Sequence, residues 1–227
     1  MNQQPILHLL NKRQHVFKYD TENIPEKQLI EDLLWKAWKV TPSKNSFMPY
    51  HCNVLGPDKV NEKHSIWQKS MANKKAINER EIKDHKEEGY NPYFKHLSTA
   101  PYLLVFTQRV CKPNAYYQRS VDGGDYFEQM DPRPVKIESM VRTTATEVGM
   151  FMANLSAFAL EKGLDTSTIA CFPYSNLKAW SDLPWVKYPV VLLASIGKAK
   201  MYRRDRMGQE ESKMDKKPEP EEVIRWI

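Results

Sequence analysis

Apolar residues recur along the chain in two rhythms, and these predict its elements. From Pro25 to Lys39, the residues Leu29, Ile30, Leu33, Leu34, Ala37 and Trp38 fall at helical spacing. Pro25 suits the first turn of that helix, and Pro42 ends it. A Ser/Asn/Pro loop, Thr41 to Pro49, then leads to a short strand around Cys52 to Leu55. Asp58 to Lys95 is charge-rich. Within it Val60, His64, Trp67 and Met71 mark an amphipathic helix. Pro101 to Thr107 and Pro189 to Ile196 are continuously apolar, the pattern of strands covered on both faces. Val141 to Lys162 is the longest helix, apolar nearly all round through Val148, Phe151, Met152, Leu155, Phe158, Ala159 and Leu160, and Gly163 closes it. Between strand and long helix, about 108–140, the chain is irregular and rich in Tyr116, Tyr117, Tyr126 and Phe127. That is too long for a passive connector and reads as a lid or partner-contact insert. The 198–227 extension is mixed in charge but ends in Val223, Ile224, Trp226 and Ile227, so it is expected to dock. Helices on a small sheet make this α+β, in one domain spanning 1–227.

Composition removes several functions. The chain has 227 residues and only 8 glycines, about half the usual share. It contains neither a G-x-G-x-x-G fingerprint nor a Gly-rich phosphate loop. The net charge of +6 suits a phosphorylated ligand as well as nucleic acid. Acidic residues interleave with the basic ones, which favours a solvated face, and no aromatic-basic RNA motif is present. No apolar run is long enough to span a membrane and no signal peptide is evident, so the expected setting is cytoplasmic. Cys52, Cys111 and Cys171 are far apart and the six histidines are scattered, so no metal site is expected. Cys171, in Ile169-Ala170-Cys171-Phe172, reads as a core thiol.

Three segments carry the functional signal. Arg13-Gln14-His15-Val16-Phe17-Lys18-Tyr19-Asp20 precedes the first long helix, and Pro42-Ser43-Lys44-Asn45-Ser46-Phe47-Met48-Pro49 follows it. The third runs from Glu147-Val148-Gly149-Met150 to Gly163-Leu164. Ala100-Pro101 ahead of a strand, and Pro220-Glu221-Glu222-Val223-Ile224-Arg225-Trp226 at the end, complete the order. In this order the chain resembles the nitroreductase-like flavoproteins, roughly from Leu10 to Trp226. The resemblance implies a mostly antiparallel central sheet flanked by helices, an intertwined homodimer with shared sites, and bound FMN.

It also implies roles. Arg13 would meet the FMN phosphate, with Gln14 and His15 beside it; the other reading of Arg13 is a solvated cation. A forked guanidinium suits a phosphate that no Gly-rich loop holds. A second phosphate cation would come from the extension, either Lys216 or Lys217, or one of Arg203, Arg204 and Arg206. Pro42, Ser43, Lys44, Asn45 and Ser46 would bond the pyrimidine edge of a flavin in the partner subunit; the other reading of Ser43 and Asn45 is turn chemistry. Ala170 and Cys171 would offer a backbone N–H toward flavin N5, leaving the thiol incidental.

Two departures stand out. Phe17 replaces the usual Arg or Lys near flavin N1–O2, a cation that favours the anionic reduced ring. Lys18 or Lys44 could substitute. Phe47-Met48-Pro49 replaces the usual Gln-Pro. The implied activity passes hydride from NAD(P)H through FMN to a nitroaromatic, quinone or similar acceptor by ping-pong kinetics. The cofactor carries that chemistry, so no side chain is assigned as catalytic. Divergent flavin chemistry (reductive dehalogenation or flavin breakdown) and non-enzymatic flavin binding are the alternatives.

Overall fold

The computed structural model describes residues 5–81, 95–109, 137–173, 176–202 and 218–225. Its elements, in order, are α1 (Pro5–Leu10), β1 (Val16–Tyr19), α2 (Lys27–Val40), a 3-10 turn (Lys44–Ser46), β2 (Tyr50–Leu55), α3 (Val60–Glu81), α4 (Lys95–Thr99) and β3 (Tyr102–Gln108). Then follow α5 (Ile137–Glu161), β4 (Asp165–Ile169), a 3-10 turn (Leu177–Trp180), β5 (Val190–Gly197), β6 (Ala199–Tyr202) and α6 (Pro220–Val223). The core of the lid and most of the extension lie outside the described residues.

The central sheet has the order β2-β3-β5-β4, and every pairing in it is antiparallel. β3 is buried at all seven positions, which explains its unbroken apolar sequence. Leu104 and Phe106 face α2 and α5, packing with Ile30, Leu33, Val148, Phe151 and Leu155. Leu103 and Val105 face the other way, toward Ile66, Leu97 and Trp180. One strand thus feeds two cores because its side chains alternate. Tyr50, Phe106 and Phe151 meet edge to face, with ring centres 5.6 to 5.9 Å apart, and tie β2, β3 and α5 together.

A second, two-stranded sheet pairs β1 with β6. The buried Tyr19 fastens it to the central sheet: its hydroxyl donates to the Ser195 carbonyl at 3.2 Å and lies 3.1 Å from the Ser195 hydroxyl. Asp165, at the start of β4, accepts from the Ala199 amide and the Tyr202 hydroxyl, both at 3.1 Å. Burial raises the Asp165 pKa, and those two bonds offset it only partly.

Two of the few glycines are required by geometry. Gly163 ends α5 with φ +68°, a backbone region open to glycine. At Gly197, a Cβ would sit 2.7 Å from the Pro101 ring. Only glycine lets β5 pass that close.

Several sequence expectations need correction. Pro25 lies outside α2, which begins at Lys27 with Glu26 extended at its N-cap; the Pro25 carbonyl instead accepts from the Tyr102 hydroxyl at 3.0 Å. Trp38 does not face the core. It is 50 % exposed, beside Trp35 at 67 %, and α2 buries Ile30, Leu33 and Ala37. The buried stripe of α3 runs through Lys63, Ile66 and Ser70, with Val60 and His64 exposed. A buried lysine hid that stripe: its Nζ donates to the Ala100 and Pro101 carbonyls at 3.0 and 3.3 Å. β1, β4 and β6 are short and polar enough to escape a hydropathy reading. In the extension, Val223 and Ile224 are exposed on this chain.

Candidate functional site

The N-terminal segment turns into β1 through the Arg13 amide, which donates to the Leu10 carbonyl at 3.1 Å. Arg13 is exposed, whereas Gln14 and His15 are half-buried. His15 Nδ1 lies 3.1 Å from the Ser167 hydroxyl of β4. That contact sets Arg13–His15 beside β4, whose C-terminal end leads into Ala170 and Cys171. Ala170 is exposed; Cys171 is half-buried, against the Trp180 core. His15 is thereby linked to the strand that ends one residue before Ala170. The exposed Arg13 and the half-buried Gln14 and His15 carry donors of the kinds that fit a phosphate and a polyhydroxyl chain.

The Pro42–Ser46 loop is held elsewhere. Asn154 of α5 donates to the Thr41 hydroxyl at 3.1 Å, and Thr41 donates to the Ala37 carbonyl at 2.6 Å, closing α2. The Lys44 amide donates to Glu147 Oε1 of α5 at 3.0 Å. Ser43 Oγ accepts from the Met48 amide at 2.8 Å, so turn chemistry does occupy this serine. Ser46 and Met48 both take left-handed backbone, φ 55° and 46°, without being glycine. Arg109 crosses from the end of β3 and donates to the Met48 carbonyl at 2.9 Å and to the Phe47 carbonyl. The Thr144 hydroxyl donates to the Pro49 carbonyl at 3.4 Å.

Sequence reasoning assigned no role to Glu147, Thr144 or Arg109. The available signal was a carboxyl at position 147, on the helical stripe it shares with Phe151 and Leu155 (i, i+4, i+8). Phe17 and Lys18 are both half-buried on β1. Arg203, Arg204, Arg206, Lys216 and Lys217 lie outside the described residues.

A groove of about 540 Å³ opens beside the loop, lined by Trp35, Trp38, Met48, Cys52, Val54 and Arg109 among others. Of the predicted cofactor contacts it includes Ser46 alone. The Cys52 thiol in its wall is pushed up to about 12 by burial. Burial first, and then the nearby Glu147 and Cys52, raise the Tyr50 pKa. Among the described residues, no group of three His, Cys, Asp or Glu could hold a metal ion, and no helix is long and apolar enough to cross a membrane.

The nitroreductase family profile matches residues 10–198. The chain belongs to the nitroreductase family. Its fold agrees with solved family structures. One is a proposed NAD(P)H:FMN oxidoreductase from Staphylococcus epidermidis, 18% identical, with TM-score 0.65, covering 100% of this chain and 97% of that one. Another is a nitroreductase-like protein from Streptococcus mutans, 19% identical, TM-score 0.56, over 86% and 89% of the two chains. A third, from Exiguobacterium sibiricum, is a proposed nitroreductase in complex with FMN, 17% identical, TM-score 0.56, over 88% and 91%. Comparison with curated proteins gives no match.

Proposed function

We propose that this nitroreductase-family chain is an FMN-dependent oxidoreductase that uses NAD(P)H to reduce an electron-poor acceptor such as a quinone or nitroaromatic. One observation carries the reading: the family match over 10–198 contains the three segments that carry the resemblance, Arg13–Asp20, Pro42–Pro49 and Glu147–Leu164, and with them Ala170 and Cys171. When bound, FMN supplies the hydride chemistry. Donor and acceptor use one pocket in turn, which gives ping-pong kinetics.

The chain's own residues bind and orient. Arg13 neutralises phosphate charge, and Gln14 and His15 add hydrogen-bonding capacity beside it. His15 is steadied by Ser167. The Ala170–Cys171 backbone, just past the end of β4, is read as the group that meets the ring. Pro42, Ser43, Lys44, Asn45 and Ser46 address a ring edge in the second subunit of a homodimer. The exposed Trp35, Trp38 and Val54 around the groove support that dimer, because a monomer rarely leaves such a cluster in water. One cation of the extension, among Arg203, Arg204, Arg206, Lys216 and Lys217, completes the phosphate grip.

Steady-state kinetics test the activity. NAD(P)H oxidation in the presence of a quinone, with parallel double-reciprocal lines, is the expected result. Consumption of the flavin itself, without acceptor turnover, would replace this reading with divergent flavin chemistry.

A further inference from the structure

We propose that Glu147 is a positioning residue for the cofactor loop, setting the backbone of Lys44; this rests on the reading above, in which that loop meets the flavin. The loop's own bonds, from the Ser46 and Phe47 amides to the Ser43 and Lys44 carbonyls at 3.1 Å, close a 3-10 turn but do not fix it against the body of the chain. Ser46 and Met48 occupy left-handed backbone that residues with a Cβ disfavour. External contacts must therefore fix it. Arg109 and Thr144 grip its second half, at Phe47, Met48 and Pro49. Ser43 braces Met48 from within. The first half, which carries the proposed flavin contacts, is gripped by Glu147 at the Lys44 amide.

Glu147 is unusual for a residue on the core side of a helix. It is only 3% exposed, next to Val148 in α5, and Phe151 and Leu155 follow on the same stripe. Its described hydrogen bond is the one to Lys44, and Oε2 has no partner among the described residues. Burying a carboxyl with one oxygen unmet is costly. An apolar side chain would pack there at less cost but would release Lys44. The carboxyl is thus explained by the loop rather than by the core. Because α5 is packed along both α2 and the sheet, it provides a rigid base for that contact.

The experiment compares Glu147→Gln with Glu147→Ala. Gln keeps an acceptor at the same reach; Ala removes it. Two quantities are read: FMN affinity by fluorescence titration of apoprotein, and hydrogen exchange of the Lys44 amide in apoprotein without FMN. Glu147→Gln is expected within about twofold of wild type in both, whereas Glu147→Ala weakens FMN binding about tenfold or more and speeds Lys44 exchange by a similar factor. Amides of β3 should stay unchanged in both variants. If Glu147→Ala does not fold, Glu147→Asp, one methylene shorter, should show the same losses in smaller measure. Unchanged Lys44 exchange, or wild-type FMN affinity, in the variant without the acceptor overturns the proposal. Wild-type protein that takes up no FMN overturns the functional reading and this inference with it. Tight wild-type binding matched by Glu147→Ala overturns this inference alone.

Discussion

Arg13 is the residue on which the phosphate assignment turns. It is exposed, and its backbone is pinned at the start of β1 by the Leu10 carbonyl. Its side chain is therefore not part of the core, and under the proposed function its guanidinium meets the FMN phosphate. Arg13→Ala should leave the thermal midpoint within a degree or two and weaken FMN binding by about 1.5–3 kcal/mol, read by titration of apoprotein. Asp165 makes a different prediction. Burial raises its pKa, so the folded chain holds that proton to higher pH than the unfolded chain does. Its stabilising contribution is present below the ordinary carboxyl value of 3.8 and is lost as pH rises through the raised folded value. Asp165→Asn removes this dependence. Urea unfolding should show the Asn variant gaining on wild type as pH rises from about 4. An Asn variant that loses ground to wild type as pH rises would contradict the burial argument.

At the scale of elements, β3, β5, α2 and α5 were legible because burial on two faces, or along one stripe, leaves a plain apolar pattern. The two-residue shift at the start of α2 was not, because the Pro25 carbonyl is used by Tyr102, far along the sequence. The stripe of α3 was read one face off because Lys63 is buried by hydrogen bonds to Ala100 and Pro101, which a single sequence does not reveal. The site divided in the same way. Arg13, the loop and the segment starting at Glu147 are legible as motifs; the bracing roles of Glu147, Thr144 and Arg109 are not, since each acts through a backbone group on a distant segment. Gly197 gives the sharpest test at this scale. Gly197→Ala places a Cβ against the Pro101 ring and should cost about 1–3 kcal/mol, measured by chemical unfolding.

For the whole molecule, the proposed function gives the +6 charge a use, the FMN phosphate, in a chain with few glycines and no Gly-rich loop. The shape of the chain instead turns on apolar surface left uncovered. Trp35 and Trp38 meet edge to face at 5.9 Å on an open face of α2. In the proposed homodimer that face would be covered, so Trp35→Glu combined with Trp38→Glu should shift the mass seen by light scattering from dimer to monomer while the far-ultraviolet dichroism stays native. The central claim, an FMN-binding oxidoreductase of the nitroreductase family, is tested most directly by the cofactor itself. Purified chain reconstituted with FMN and freed of excess should show flavin absorbance equal to about one FMN per subunit. A colourless protein that retains no FMN after reconstitution would contradict the account.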